Sequence, residues 1–434
     1  MRRVTLDSHM LARLVLLAFL AVNVFAQSPA SLFKQVDEMV AALSDITGWQ
    51  VRKKVPSQML STERFRQIVE TSMKKASHDK EIHIEEVTLK MFGFVPQDFD
   101  LAKEAVDLVS EQAAAFYDYN QKRLFVLDST PEGSEQQLAL AHELAHALAD
   151  QHHPLGKYLS HGNPDDDAVT ARQAVMEGQA SWLAWAYMSK HNGGKGEVPA
   201  DIVDRLTNEA GADGDDFPVY SKAPLYIRES LVFPYNQGLK FQDTIYRKLG
   251  QRGFDEVFVR PPLDTQQILH PDLYLSNLKP AEPDPPPPAT GKDAHQFRVL
   301  TDGVLGEFDF SALLRQYVDE REGTEAASHW RGASYRLYEH KTEKYSVLTC
   351  SSEWDSAEAA RKYFELYQRV MRGKWKKMSV TVHAPDEISG NGDSGRFVLR
   401  ISGTSVQSIE GLHGSEPDRG VVPGLVLAPR RLLH

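Results

Sequence analysis

One cysteine, Cys350, is the whole thiol content of this 434-residue chain, so no internal disulfide can staple it. Such a chain rests on its core, helped by a metal if it binds one. Cys350 closes the apolar run Tyr345-Ser346-Val347-Leu348-Thr349, which predicts a buried structural thiol. Long basic runs are missing as well. The net charge of −11 argues against a nucleic-acid partner. The densest basic stretch, Arg372 to Lys377 around Trp375, reads as the solvated end of a helix. Internal repeats are absent.

What is present is the balance of a globular protein: 41% hydrophobic and 25% charged residues, in a chain long enough for two or three domains. Arg2, Arg3 and Arg13 precede an apolar stretch, Leu14 to Phe25. That stretch is too short for a comfortable membrane span. With Val24-Phe25-Ala26 after it, residues 1–26 read as an export signal cleaved after Ala26. An uncleaved anchor is the alternative. No cysteine follows the apolar run, so lipid attachment there is excluded. The expected location is secreted or periplasmic, with no stable membrane insertion after cleavage.

The sharpest feature is His142-Glu143-Leu144-Ala145-His146. Residues four apart on a helix share a face, so His142 and His146 can reach one ion. Glu143 stands beside the first ligand, where it can take a proton from water at the metal. The context predicts a helix, with Ser134 and Gln137 spaced as a capping box and Thr130-Pro131 as an earlier start. Leu138, Ala141, Ala145 and Leu148 form one apolar stripe, and Leu140, Leu144 and Ala147 a second. A helix apolar on nearly all sides is buried, and buried histidines need partners.

Catalytic zinc usually takes three protein ligands. Glu177 is the favoured third, in Ala174-Val175-Met176-Glu177-Gly178-Gln179-Ala180-Ser181, a segment opened by Asp165-Asp166-Asp167. Ala174, Gly178, Ala180, Ser181 and Ala184 are small, which would let this helix approach the His142–His146 helix closely. The rival is His152, six residues after His146. The longer H-E-x-x-H-x-x-G-x-x-H pattern has a glycine where this chain has Ala149. Alanine lets the helix continue and turns His152 away, while His153 lies about 10 Å further along the axis.

The run from His142 to His152 resembles the active helix of thermolysin-type gluzincins, in which a glutamate on a later helix completes the site. The wider segment, about residues 115–275, is similar to a group of secreted bacterial gluzincin-like proteins. The resemblance rests on Phe116-Tyr117-Asp118-Tyr119, the motif helix, Met176-Glu177-Gly178-Gln179-Ala180, Phe233-Pro234-Tyr235-Asn236-Gln237-Gly238 and Leu269-His270-Pro271. It implies zinc on His142, His146 and Glu177, with Glu143 as general base. Two departures stand out. The gap from His146 to Glu177 is longer than in thermolysin, and Ser181 replaces the aspartate that steadies a ligand histidine. Asp150 or Gln173 is then expected to do that work.

Around this core, residues 27–110 read as a helical lobe or a pro-segment, with helices over Leu32–Leu43, Thr62–Lys75 and Asp100–Gln112. Ala115–Tyr119 and Leu124–Leu127 predict a hairpin, whose exposed edge could accept an extended peptide. His191 to Asp216 reads as a loop, and Leu231–Leu249 as a helix. Tyr235, and after it His270, is the candidate to hydrogen-bond an oxyanion. Proline-rich residues 279–294 mark a stiff linker. Beyond it, residues 295–410 read as an α+β accessory domain and 411–434 as a disordered tail. Phe310–Val318, Ser356–Met371 and the strands Ser334–Tyr338, Tyr345–Thr349, Ser379–His383 and Phe397–Ser402 build that domain. The expected fold is thus α+β. A mainly helical zincin-like domain over 27–278 carries a small antiparallel sheet, and a smaller α+β domain follows it. The expected function is peptide-bond hydrolysis by an exported zinc metallopeptidase; the alternative is a zinc-stabilised, inactive binding protein of the cell envelope.

Overall fold

In the computed structural model, residues 29–77, 80–112, 115–128, 133–208 and 217–413 are described. The expected signal lies outside them, as does the tail beyond His413. No helix of the described residues is long and apolar enough to cross a membrane. By spatial clustering the chain makes two units: Met1–Pro280 with Val304–Trp330, and Ala281–Gly303 with the residues from Arg331 onward.

The first unit is mainly helical. It opens with α1 (Pro29–Thr47), β1 (Ser57–Leu60), α2 (Thr62–Ser77), α3 (Lys80–Phe92) and α4 (Leu101–Gln112). The hairpin β2 (Ala115–Asp118) and β3 (Arg123–Leu127) follows, joined by a turn with Lys122 at φ 54°. Its sheet has the order β1-β3-β2. β3 pairs antiparallel with β2 but parallel with β1, so the small sheet is mixed and not antiparallel as expected. β1 escapes sequence reading because it is only four residues of Ser57-Gln58-Met59-Leu60.

Next come α5 (Ser134–His152), α6 (Leu155–Ser160) and α7 (Asp166–His191). The capping box does not form. Gly133 is the N-cap of α5 at φ 108°, and Ser134 is already helical. Asp165, in contrast, caps α7 by accepting from Ala168 N at 2.9 Å. Both stripes of α5 are buried apart from half-buried Leu138: Leu140, Leu144 and Leu148 are fully enclosed, each contributing about 1.5–3 kcal/mol. They share one core with Val36, Met39 and Leu43 of α1, so α1 is built into the core of the unit.

The expected loop after α7 holds α8 (Ala200–Asn208), while 209–216 lie outside the described residues. Then follow α9 (Pro218–Lys222), α10 (Leu225–Leu249), α11 (Arg252–Val259), α12 (Thr265–Leu269) and α13 (Pro271–Leu275). α10 starts before the expected boundary and carries Pro234 inside it. Gly178 does not face α5, as its small neighbours suggested. It meets Gly238 of α10, where a Cβ on either residue would strike the other helix's main chain.

The second unit begins in the proline-rich segment. That segment is no free spacer: Ala281 N donates to Arg331 O at 2.6 Å, and Asp284 pairs with Arg336. β4 (Phe297–Val304) leads into α14 (Glu307–Tyr317) and α15 (Glu320–Ala327). These helices belong to the first unit, contrary to the simple boundary expected at the linker. The cause is packing: Phe308 joins the first unit's core, and Tyr226 OH donates to Asp309 at 2.9 Å. The chain then completes β5 (Trp330–His340), β6 (Ser346–Trp354), α16 (Ala357–Lys374), β7 (Ser379–His383), β8 (Glu387–Gly392), β9 (Gly395–Ser402) and β10 (Ser405–Leu412). The seven-stranded antiparallel sheet runs β4-β5-β6-β10-β9-β8-β7. Gly411 and Leu412, expected in the tail, end β10.

Cys350 is buried, and burial pushes its thiol up to about 12. Lys374 corrects the solvated reading of the Arg372–Lys377 stretch. Only 3% of its side chain is exposed, and its ammonium lies 2.7 Å from Glu410, which also accepts from Tyr367 OH.

Candidate metal centre

Helical spacing puts His142 and His146 on one face of α5, and α7 presents Glu177 against it. His142 Nε2 lies 3.0 Å from Glu177 Oε2, His146 Nε2 lies 3.3 Å from the same oxygen, and the two ring nitrogens are 3.1 Å apart. An ion held tetrahedrally at about 2.0–2.1 Å keeps its ligand atoms roughly 3.3 Å apart. The triangle therefore has the size such an ion needs. Its chemistry fits too. Glu177 is 1% exposed, and its Oε1 makes no well-formed hydrogen bond. Two neutral imidazoles facing a carboxylate lack donors enough to satisfy one another, and a cation supplies what they lack. His142, His146 and Glu177 are the group close enough to hold a metal ion among the described residues.

The three groups also act on one another's charge. Burial alone would raise the Glu177 carboxyl, but His146 and His142 beside it bring it down to about 2. Burial would depress His146, yet Glu177 outweighs it and leaves the imidazole raised. Glu143 points from the next position of α5. Burial pushes its carboxyl above the usual range, against the pull of His142 and His146.

Two contacts were not visible in the sequence. Tyr117 N, on edge strand β2, donates to Glu143 Oε2 at 2.7 Å. Tyr117 OH donates to Asp150 Oδ2 at 2.9 Å, and Lys122 Nζ reaches the same oxygen at 2.6 Å. Asp150 Oδ1 accepts from Leu155 N at 2.9 Å. One buried carboxylate, a turn beyond His146, thus ties the hairpin to the ligand helix. A main-chain donor leaves no residue-type signal, though Asp150 was marked as a supporting residue for another reason.

The histidine-steadying position is filled weakly by Ser181 itself, whose Oγ lies 3.4 Å from His142 Nδ1. Asp150 is occupied elsewhere. Tyr235 of α10 stacks on His142 with ring centroids 5.8 Å apart. Its burial, with the charges of Glu177 and Glu143, holds the phenol well above its usual pKa. His152 does not join the group: its Nε2 lies 2.9 Å from Gln50 O, and its ring stacks on Trp49. His153 pairs with Asp255 at 2.7 Å. His270 pairs with Glu307 at 2.8 Å, and this contact raises its pKa.

A family model described as a domain of unknown function (DUF8575) matches residues 296–418, a stretch that includes neither Glu143 nor the three candidate ligands. No curated protein and no solved structure matches the chain.

Proposed function

We propose that this chain is an exported zinc metallopeptidase of gluzincin type, with a zincin-like first unit, that hydrolyses peptide bonds. The observation that carries the reading is Glu143 held by a strand amide directly beside a triad of two histidines and a glutamate. Zinc on His142, His146 and Glu177 would polarise a carbonyl and make water acidic near neutral pH. The remaining work falls to the chain's own groups. Tyr117 N–H engages Oε2 of Glu143, which leaves Oε1 to take a proton from water. Glu143, buried beside the triad, is placed to hold that proton and hand it to the leaving amine. Tyr235 stays protonated and is suited to donate to the developing oxyanion. β2 is an edge strand, so an extended peptide can pair along it.

The test combines zinc analysis with hydrolysis of a peptide panel. One zinc per chain is expected, lost in His146→Ala and Glu177→Ala. Glu143→Gln should keep zinc and lose at least about a hundredfold in rate. An unchanged rate in Glu143→Gln ends this mechanism. Bound zinc without turnover of any peptide makes the protein a metal-stabilised binding protein instead.

A further inference from the structure

Arg228 of α10 is a half-buried arginine. Its Nε is enclosed without a partner, and its guanidinium makes no hydrogen bond and no ion pair among the described residues. Two acids of the described residues near this stretch are engaged elsewhere. Glu229 accepts from Arg315 at 3.1 Å through both oxygens, and Glu111 accepts from the amides of Val219 and Tyr220 at 2.9 Å. The phenol of Tyr220 lies within electrostatic reach of it. Leaving charged donors partly desolvated and unpaired is costly, so a guanidinium kept this way suits an anion that arrives from outside.

Its place on α10 says which anion. Ile227, Leu231, Pro234 and Gly238 form the buried stripe of α10, and Gly238 meets α7. Counting about 100° per residue, Tyr235 and Arg228 fall on the same flank of that stripe. Tyr235 on this flank touches His142. Arg228 stands two turns before it, about 10 Å along the axis. An extended peptide covers that distance in roughly three residues.

We infer that Arg228 is a specificity residue that takes a carboxylate of the substrate, about three residues from the bond cleaved. The inference rests on the peptidase reading and narrows its substrates to peptides with an acidic side chain or a free C-terminus at that position. Guanidinium and carboxylate match as a two-pronged pair.

The test is binding, not turnover. Fluorescent peptides of one sequence are titrated into the full-length, zinc-loaded Glu143→Gln protein. The peptides carry a C-terminal acid or amide, and glutamate or glutamine at internal positions. The expected result is that one carboxylate form binds about ten- to a hundredfold more tightly than its neutral twin. Adding Arg228→Gln, with zinc content retained, should erase that ratio. Whichever pair shows it, terminal or internal, identifies the source. Equal binding of charged and neutral twins, or a preference that survives Arg228→Gln, overturns the inference while hydrolysis by the unsubstituted protein keeps the peptidase reading. If no peptide is bound and none is hydrolysed, both fall together.

Discussion

Replacing Gly178 by alanine should loosen the metal site without touching a ligand. A methyl carbon on Gly178 would lie 2.0 Å from the Gly238 carbonyl carbon and 2.4 Å from its Cα. Ordinary carbon contacts begin near about 3.5 Å, so α7 and α10 must part by roughly 1.5 Å. Main chain stands on both sides, and no side chain can rotate out of the way. Overpacking costs about 1–3 kcal/mol, and alanine's better helix propensity returns about 1. A net loss of about 1 kcal/mol would lower the unfolding temperature of a unit this large by roughly 2–4 °C. Glu177 is the adjacent residue, and a site tolerates only about 0.5 Å of displacement. Zinc affinity should therefore fall at least about tenfold, on the scale of lost ligand support. Differential scanning calorimetry and a competitive chelator titration measure the two effects. A Gly178→Ala protein with native unfolding temperature and native zinc affinity would refute the reasoning.

Three other outcomes are expected. His152→Ala should retain one zinc per chain by elemental analysis; loss of zinc would move the third ligand to His152. Asp309 is enclosed, and burial raises its carboxyl from 3.8 to about 6, so the folded form holds its proton more tightly than the unfolded form. Its contribution to stability is then greatest in acid and declines by about 3 kcal/mol as pH rises from 4 through 6. Urea unfolding across that range should show a smaller decline in Asp309→Asn, and an unaltered slope would contradict the assignment. In the second unit, Lys374→Met or Glu410→Leu alone strands a buried charge at about 3–5 kcal/mol, while the double substitution should cost less than either. Additive single costs, measured by denaturant unfolding, would show that the two charges do not depend on each other.

The helix of the candidate metal site was legible because its chemistry is local: a four-residue spacing and two apolar stripes fix both the helix and its burial. Glu177 was legible from the small residues around it, but for a reason that needs amending, since Gly178 makes room for Gly238 and not for α5. The hairpin was readable from its turn. β10 was not, because Ser405, Gln407, Ser408 and Glu410 leave too few apolar residues to mark a strand. Glu410 can lie in a buried strand only because Lys374 and Tyr367 meet it, a pairing across 36 and 43 residues. Tyr117's amide bond to Glu143 was invisible for a different reason: any residue but proline offers that donor.

The return of α14 to the first unit has a practical consequence for anyone who would cut this chain. A fragment ending at the proline run would lack Phe308 from its core, and it would leave Tyr226 without Asp309, His270 without Glu307 and Glu229 without Arg315. Extending the fragment to Trp330 restores those partners but carries along β4, an orphaned strand of the other sheet. The covalent order and the spatial order interleave, so neither unit can be excised with a single scission. Expression of the metal-site unit alone calls for deleting Ala281–Gly303 and splicing Pro280 towards Val304.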